Sequence, residues 1–146
     1  MNTSDLYSLM LGISLAAFDY IAYKHELDTF DKSVNRKQIF DLLQKKKLTI
    51  SQIHREIKLS YQSTFAHIKY LEDLGLVRCE KQEKQQGRSV VVIVLDININ
   101  KLLDIRKQQS LKHLADDNPR CTKKQIKELL EMYIKAALDK GITPKT

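Results

Sequence analysis

The chain has 146 residues, enough to bury a hydrophobic core but few for two independent folding units, so we expect one domain over residues 1–146. Its net charge of +7 is uneven: residues 1–35 hold 2 basic and 5 acidic side chains, residues 36–96 hold 12 and 7, and residues 97–146 hold 11 and 6. This distribution excludes the N-terminal segment as a phosphate binder and favours a polyanionic partner for the rest.

The N-terminal segment Thr3–Leu27 predicts a long amphipathic helix, because its apolar residues recur at three- and four-residue steps. The alternative for Leu6–Ala22 is a membrane-spanning or signal segment. That run lacks a positively charged leader, contains Asp19 and is apolar on one side only. We therefore expect no membrane contact and a cytoplasmic location.

The middle of the chain predicts three consecutive helices. The first, Arg36–Lys47, ends in three lysines, where cations suit the helix dipole. The second, Gln52–Lys58, is capped by Ser51, and a tight turn separates it from a third helix that follows Ser60 and stops at Gly75. A short helix, a short turn and a capped second helix form the helix-turn-helix pattern.

The two sides of the third helix differ in chemistry. Thr64, Ile68 and Leu71 form one stripe at helical spacing and predict the buried side. The opposite side is small, polar and basic, and it suits a DNA groove, where glutamine can pair with adenine and lysine can donate to guanine or to a phosphate. This side carries Gln62, Ser63, Ala66, Lys69 and Tyr70, and the phosphate candidates near the turn are Lys58 and Tyr61.

After the third helix the apolar period changes from helical spacing to alternation, which predicts strands over Leu76–Gln82 and Ser89–Leu95. Glu83–Arg88 joins the two strands as a hairpin loop with a basic tip. We expect Lys84 and Arg88 at this tip to contact the minor groove or the flanking backbone, and to supply affinity rather than sequence choice.

Two further helices, Asn98–Ala115 and Thr122–Lys140, are predicted after the hairpin, with a break before Pro119. Together with the N-terminal helix they carry more apolar surface than the small core formed by the helix-turn-helix and the hairpin can cover. Because large exposed apolar patches usually mark interfaces, we predict that residues 3–30 and 97–140 form a homodimer interface. The predicted interface residues are Leu6, Met10, Ile13, Tyr20, Ile126, Leu130, Tyr133 and Ile134.

The segment Thr64–Val77, with His67-Ile68-Lys69 and Gly75-Leu76-Val77, resembles the recognition-helix signature of the ArsR and MarR families of winged-helix transcription regulators. Helices from both termini around a winged core resemble the MarR plan, which implies a two-fold dimer. The resemblance implies a mainly α fold with a small β-hairpin (α+β). In it, a winged helix-turn-helix core over residues 34–96 is flanked by N- and C-terminal dimerisation helices. The chain departs from the signature at Thr64, where family members usually have a small aliphatic residue, and at Phe65, where they usually have a small polar one.

Catalytic and metal chemistry are not indicated. The four histidines are scattered, and neither cysteine lies near a histidine at ligand spacing. Cys79 on the first strand is expected to be a buried structural thiol. Cys121 is the candidate for an oxidisable thiol, because the helix start and the neighbouring basic residues lower a thiol pKa. We expect no metal, no cofactor and no enzymatic activity.

The sequence therefore predicts a sequence-specific transcriptional regulator that binds double-stranded DNA as a homodimer on a pseudo-palindromic site. Two alternatives stay open. A non-specific architectural DNA-binding protein would bind random DNA nearly as tightly, and a winged-helix module for protein–protein contact would bind any duplex weakly at low salt. Whether a small-molecule effector binds is also left open.

Overall fold

The computed structural model of the chain describes residues 2–83, 89–95 and 98–141. Every helix and strand predicted from the sequence is present there, with small shifts at the ends. The strands are β1 (Val77–Glu83) and β2 (Ser89–Leu95), and a short 3-10 helix over Phe30–Lys32 follows the first helix. The helices are α1 (Thr3–Thr29), α2 (Val34–Lys45), α3 (Ile50–Ile57), α4 (Tyr61–Asp73), α5 (Ile99–Asp117) and α6 (Lys123–Asp139).

The chain divides into two compact units. The terminal unit consists of Met1–Glu26 and Asn100–Thr146, and the central unit consists of Leu27–Ile99. The core predicted over residues 34–96 falls inside the central unit. That residues 1–146 form a single domain stays a prediction.

The terminal unit has one apolar core, to which α1, α5 and α6 contribute. Along α1 and α6 the buried side chains recur every four residues, as on the inward side of a helix. At Gly12 the two helices α1 and α5 approach closely, because an added Cβ would lie 2.9 Å from Leu114 Cδ2. The buried core consists of Leu9, Ile13, Ala17, Leu114, Ile126, Leu130 and Ile134.

Half of the residues predicted at a dimer interface belong to this core instead. The packing within the chain covers these residues, so they do not contribute the exposed apolar surface on which the dimer prediction is based. Of the others, Leu6 is 50% exposed and Met10, Tyr20 and Tyr133 are partly buried. Tyr133 Oη lies 3.8 Å from Met10 Sδ. The four buried residues are Ile13, Ile126, Leu130 and Ile134.

The surplus apolar surface lies on another side of α1. Tyr7, Leu11, Leu15 and Phe18 lie on one stripe of that helix and are 59–74% exposed. By length and composition alone, Thr3–Lys32 is apolar enough to cross a membrane, a test that core helices also pass. α1 therefore has two apolar sides, one buried within the chain and one exposed.

A bidentate ion pair joins α1 to α5. Arg106 Nη2 and Nε donate to the two carboxylate oxygens of Asp19 at 2.8 Å and 2.9 Å, and the guanidinium carbon lies 4.7 Å from the centre of the Tyr23 ring. The hydrogen bonds from Arg106 hold the pKa of Asp19 below its ordinary value. Both partners are substantially exposed, so the pair orients the two helices more than it adds stability.

In the central unit, α2, α3 and α4 pack with a two-stranded antiparallel hairpin in which Val77 lies opposite Leu95. The loop between α2 and α3 extends the hairpin by one bridge, since Leu48 and Ile93 exchange backbone hydrogen bonds. Three helices followed by a hairpin form a winged helix-turn-helix, which confirms the predicted fold class. The core residues of this unit include Ile39, Leu43, Leu48, Ile53, Ile68, Leu71, Leu76 and Ile93.

We expect Gly12→Ala to lower the free energy of unfolding, because the added Cβ overpacks against Leu114 at a cost of about 1–3 kcal/mol, of which the gain in helix propensity offsets up to about 1 kcal/mol. In a Leu114→Ala background that crowding is absent. There the same change should be neutral or stabilise by up to about 1 kcal/mol through helix propensity. Urea unfolding of the four proteins in this cycle is the measurement. Equal effects in both backgrounds would contradict the close approach.

Candidate nucleic-acid interface

The N-terminal end of α4 is fixed by Ser60. Its hydroxyl oxygen accepts from Ser63 N at 3.1 Å, and Thr64 Oγ1 donates to the Ser60 carbonyl at 2.9 Å. The first bond satisfies one of the free N–H donors of the first turn and confirms Ser60 as the N-cap. Gln62, exposed in that turn, is therefore carried on a helix end with a defined start.

The C-terminal end of α4 is closed by Gly75. Its φ is +85°, its N–H donates to the Glu72 carbonyl at 2.9 Å, and Leu76 N–H donates to the Leu71 carbonyl at 3.0 Å. This pair of bonds is the Schellman arrangement, which needs a left-handed residue and so favours glycine. The prediction that Gly75 stops the helix is confirmed, and the chain passes from it directly into β1.

Between these caps, α4 buries the side that the sequence predicts. Thr64 and Leu71 are fully buried and Ile68 is 3% exposed. Tyr61 and Phe65 add exposed aromatic rings, at 49% and 51% exposure. The exposed polar side of α4 carries Gln62, Ser63, Ala66 and Lys69.

Lys69 is held by the C-terminal end of its own helix. Its Nζ lies 3.5 Å from Glu72 Oε1 and 3.6 Å from Asp73 Oδ1. The charges of Asp73 and then Glu72 raise the pKa of Lys69. Because these pairs are at the surface they are weak, and the ammonium group can exchange them for a phosphate.

Tyr70, predicted on the exposed side, is partly buried beneath Arg36 of α2. The guanidinium carbon of Arg36 lies 3.8 Å from the centre of the Tyr70 ring, a cation–π contact. Among the described residues, Arg36 Nε is buried without a hydrogen-bond partner. Desolvation and the charge of Arg36 lower the pKa of His67, which lies on α4 with Tyr70. Tyr70 therefore helps to fix α4 on α2, with part of its ring covered.

α3 begins earlier than predicted, because Thr49 rather than Ser51 caps it. Thr49 Oγ1 accepts from Gln52 N at 3.1 Å, and Gln52 Oε1 accepts from Thr49 N at 2.9 Å, a reciprocal capping box. Lys58 caps the C-terminal end of α3, and its φ of 55° is rare for a residue with a side chain. The predicted phosphate contacts are Lys58, just before the turn, and Tyr61, just after it. Both side chains are exposed.

Glu80 of β1 joins the hairpin to the loop that follows α2. Its carboxylate lies 3.2 Å from Lys47 Nζ in the loop after α2 and 2.9 Å from Arg78 Nη1 on the same strand. The two contacts predicted at the hairpin tip, Lys84 and Arg88, lie outside the described residues.

Cys79 is exposed, not buried as predicted, because its thiol turns to the end of α4. Its Sγ donates to Glu72 Oε2 at 2.9 Å. Desolvation of the thiol, the hydrogen bond and the negative charge of Glu72 raise the pKa of Cys79 to about 11. Since thiols react as thiolates, Cys79 is a poor target for oxidation near neutral pH.

The second cysteine, Cys121, lies just before α6 and packs, partly buried, against the core of the terminal unit. The next residue, Thr122, caps α6 in a capping box with Gln125. A redox role for Cys121 stays a prediction. In the part of the chain that the structure describes, no three His, Cys, Asp or Glu side chains come together as metal ligands would.

These features define a class: a winged helix-turn-helix protein with a doubly capped second helix whose polar side faces outward. Residues 33–78 match the family model described as "Bacterial regulatory protein, arsR family". The matched segment covers α2, α3, α4 and the start of β1. The chain thus carries a DNA-binding helix-turn-helix of the kind found in bacterial transcription regulators, as the resemblance implied.

Among curated proteins none matches the sequence significantly. Weak likenesses exist to solved structures. ZitR of Lactococcus lactis, a zinc-responsive MarR family member, is 12% identical over 74% of this chain and 75% of its own, with a TM-score of 0.40. YusO of Bacillus subtilis is 14% identical over 94% and 91%, with a TM-score of 0.41. The transcriptional regulator BldR of Sulfolobus solfataricus is 17% identical over 95% and 99%, with a TM-score of 0.41.

We expect Cys79 to react with iodoacetamide near neutral pH roughly 10- to 15-fold more slowly than a thiol of pKa 9, because two pKa units lower the thiolate fraction about 100-fold and the greater nucleophilicity of that thiolate offsets part of the loss. In a Cys121→Ser background, Glu72→Gln should speed the reaction, though not to the rate of a free thiol, since desolvation remains. Asp73→Asn removes a neighbouring carboxylate and is the matched control. Mass spectrometry over time gives the rates, and no acceleration by Glu72→Gln would refute the proposed role of the carboxylate.

Proposed function

We propose that the chain is a sequence-specific transcriptional regulator that binds double-stranded DNA as a cytoplasmic homodimer on a pseudo-palindromic site. The observation that carries this proposal is α4, which is capped at both ends, buried on one side and polar on the exposed side. A major groove admits an α-helix and presents distinct donor and acceptor patterns to it. The match of residues 33–78 to bacterial regulatory proteins supports the same function.

The exposed side of α4 is assigned to base recognition. Gln62 lies in the first turn, and the N-terminal residues of a recognition helix are those that reach base edges. Its amide suits adenine, the Ser63 hydroxyl can bond to several bases, and Ala66 suits a thymine methyl group. Lys69, two turns further, is assigned to guanine or a phosphate. The remaining phosphate contacts are assigned to Lys58 and Tyr61 at the turn and to Lys84 and Arg88, which follow β1 in sequence.

A second copy of the chain is proposed to cover the exposed apolar side of α1. Tyr7, Leu11, Leu15 and Phe18 are each more than half exposed. Together they present on the order of 500 Å² of apolar side chain, toward the upper end for a single patch on a monomer. A stable interface buries about 800 Å² per partner. Two-fold symmetry would then set the two α4 helices about 34–36 Å apart, one turn of DNA.

Gln62→Ala should weaken binding to the specific site by about 1–3 kcal/mol and change binding to random DNA little, because it removes one base contact. Arg88→Ala should weaken both by similar factors and lower the salt slope by about one unit per subunit, as for one lost phosphate contact. The measurement is a KCl titration of fluorescence anisotropy, with a duplex footprinted upstream of the protein's own gene and a random duplex.

The same titration separates the proposal from its alternatives. If Arg88→Ala abolished discrimination and Gln62→Ala did not, the assignment of helix and hairpin would be reversed. Equal wild-type affinity for both duplexes would identify an architectural DNA-binding protein. Weak wild-type binding to both duplexes at low salt would favour a module for protein–protein contact.

Leu11→Glu combined with Leu15→Glu should make the protein monomeric at micromolar concentration, because unpaired charges would have to be buried in the interface. Light scattering gives the mass. Val34→Glu is the matched control, since Val34 is 70% exposed but lies on α2, and it should leave the mass unchanged. A monomeric wild type would refute the dimer. If that monomer floated with phospholipid vesicles, the exposed side of α1 would be a membrane-contact surface.

A further inference from the structure

A groove with three cations among its six lining residues lies between the residues that follow α2 and the outer side of α3. Its volume is about 390 Å³. A neighbouring groove of about 380 Å³ shares Glu56 and Lys58 with it and adds Lys45 and Asp41. We call the first one the basic groove. Its lining consists of Lys46, Leu48, Gln52, Arg55, Glu56 and Lys58.

The three cations of the basic groove, Lys46, Arg55 and Lys58, are exposed. None of the three forms an ion pair with any residue that the structure describes, whereas Lys47 and Lys69 each do. Three positive charges therefore face one carboxylate, that of Glu56, in a space large enough for a phosphate group. Charges arranged in this way attract an anion from outside the chain.

The basic groove includes Lys58, which belongs to the turn that leads into the proposed DNA-reading helix. Lys58 follows α3 directly, and α4 begins at Tyr61 after the turn. In a helix-turn-helix protein the first helix crosses the sugar-phosphate backbone, while the N-terminal residues of the second helix reach the bases. Arg55 and Lys58 belong to that first helix and its end, and Lys46 lines the same groove.

We propose that the basic groove binds phosphates of the same duplex, beside the bases assigned to α4, through Lys46 and Arg55 in addition to Lys58. This inference rests on the proposed function. Two further phosphate contacts per protomer raise affinity without adding sequence choice, because phosphates carry no base information. Glu56 opposes the phosphate at the same place and so limits the affinity of the groove.

The probe is a fluorescent duplex of random sequence, about three helical turns long, titrated at several KCl concentrations. Lys46→Gln combined with Arg55→Gln should lower the slope of log affinity against log salt by about 1.8 per protomer, since each phosphate contact contributes about 0.9. Glu56→Gln should instead tighten binding by about threefold at low salt, the effect of one unit charge about 6 Å from a phosphate in water.

The matched control is Lys127→Gln combined with Lys135→Gln, which removes the same charge from exposed sites on α6. This pair should leave the slope unchanged. An equal fall in the control would mean that only net charge matters and would overturn the inference. An unchanged slope in the Lys46 and Arg55 variant would also overturn the inference. This holds even if urea unfolding shows that the variant is less stable, which would mean that the two cations stabilise helix ends and do not contact phosphates.

Failure of the inference is distinguishable from failure of the proposed function. If the wild type binds the duplex and the groove variant keeps its slope, only the groove assignment is lost. If the wild type does not bind the duplex at low salt, the proposed function is itself contradicted. Binding of a polyglutamate peptide in that case, abolished by the groove variant, would make the basic groove a site for an acidic protein segment and would overturn the inference.

Discussion

The burial of Thr64, Ile68 and Leu71 decides which way α4 faces. All three are at most 3% exposed, and the helix that carries them packs with α2, α3 and β1. Fully burying a Leu or Ile side chain stabilises a fold by about 1.5–3 kcal/mol, so a rotation that exposed this stripe would cost several times the energy of any one surface contact. The outward direction of Gln62 and Lys69 is a consequence of that burial. Both roles assigned to them in DNA binding depend on it.

Glu72 couples the end of this helix to the hairpin. One carboxylate oxygen lies 3.5 Å from Lys69 Nζ, and the other accepts from Cys79 Sγ on β1 at 2.9 Å. The thiol is thereby kept protonated and acts as a hydrogen-bond donor rather than as a nucleophile. Lys69 shares this carboxylate, so if Lys69 contacts a phosphate as proposed, the charge that faces Cys79 would change. Glu72 thus connects an exposed residue of α4 with a residue of β1.

Local signals predict much of the central unit, whereas distant contacts escape them. The capping hydrogen bonds of α4 join residues at most five positions apart, so the sequence predicts them. At α3 both Thr49 and Ser51 are suitable N-cap residues. Gln52, three residues after Thr49, completes a capping box and identifies Thr49 as the cap. Arg36 and Tyr70 lie too far apart in sequence for any periodicity to pair them. The sequence of α1 predicts surplus apolar surface but not which of its two apolar sides turns inward, because that depends on α5 and α6.

The roles proposed for α4 can be tested by selecting bound duplexes from a pool of random sequences and sequencing them. If the exposed polar side of α4 recognises base sequence within a two-fold dimer, we expect enrichment of two inverted half-sites whose centres are about 10 base pairs apart, one turn of DNA. A pool that stays random although the protein binds it would show that α4 does not read base sequence. Convergence on a single unpaired half-site would show that the protein does not bind DNA as a two-fold dimer.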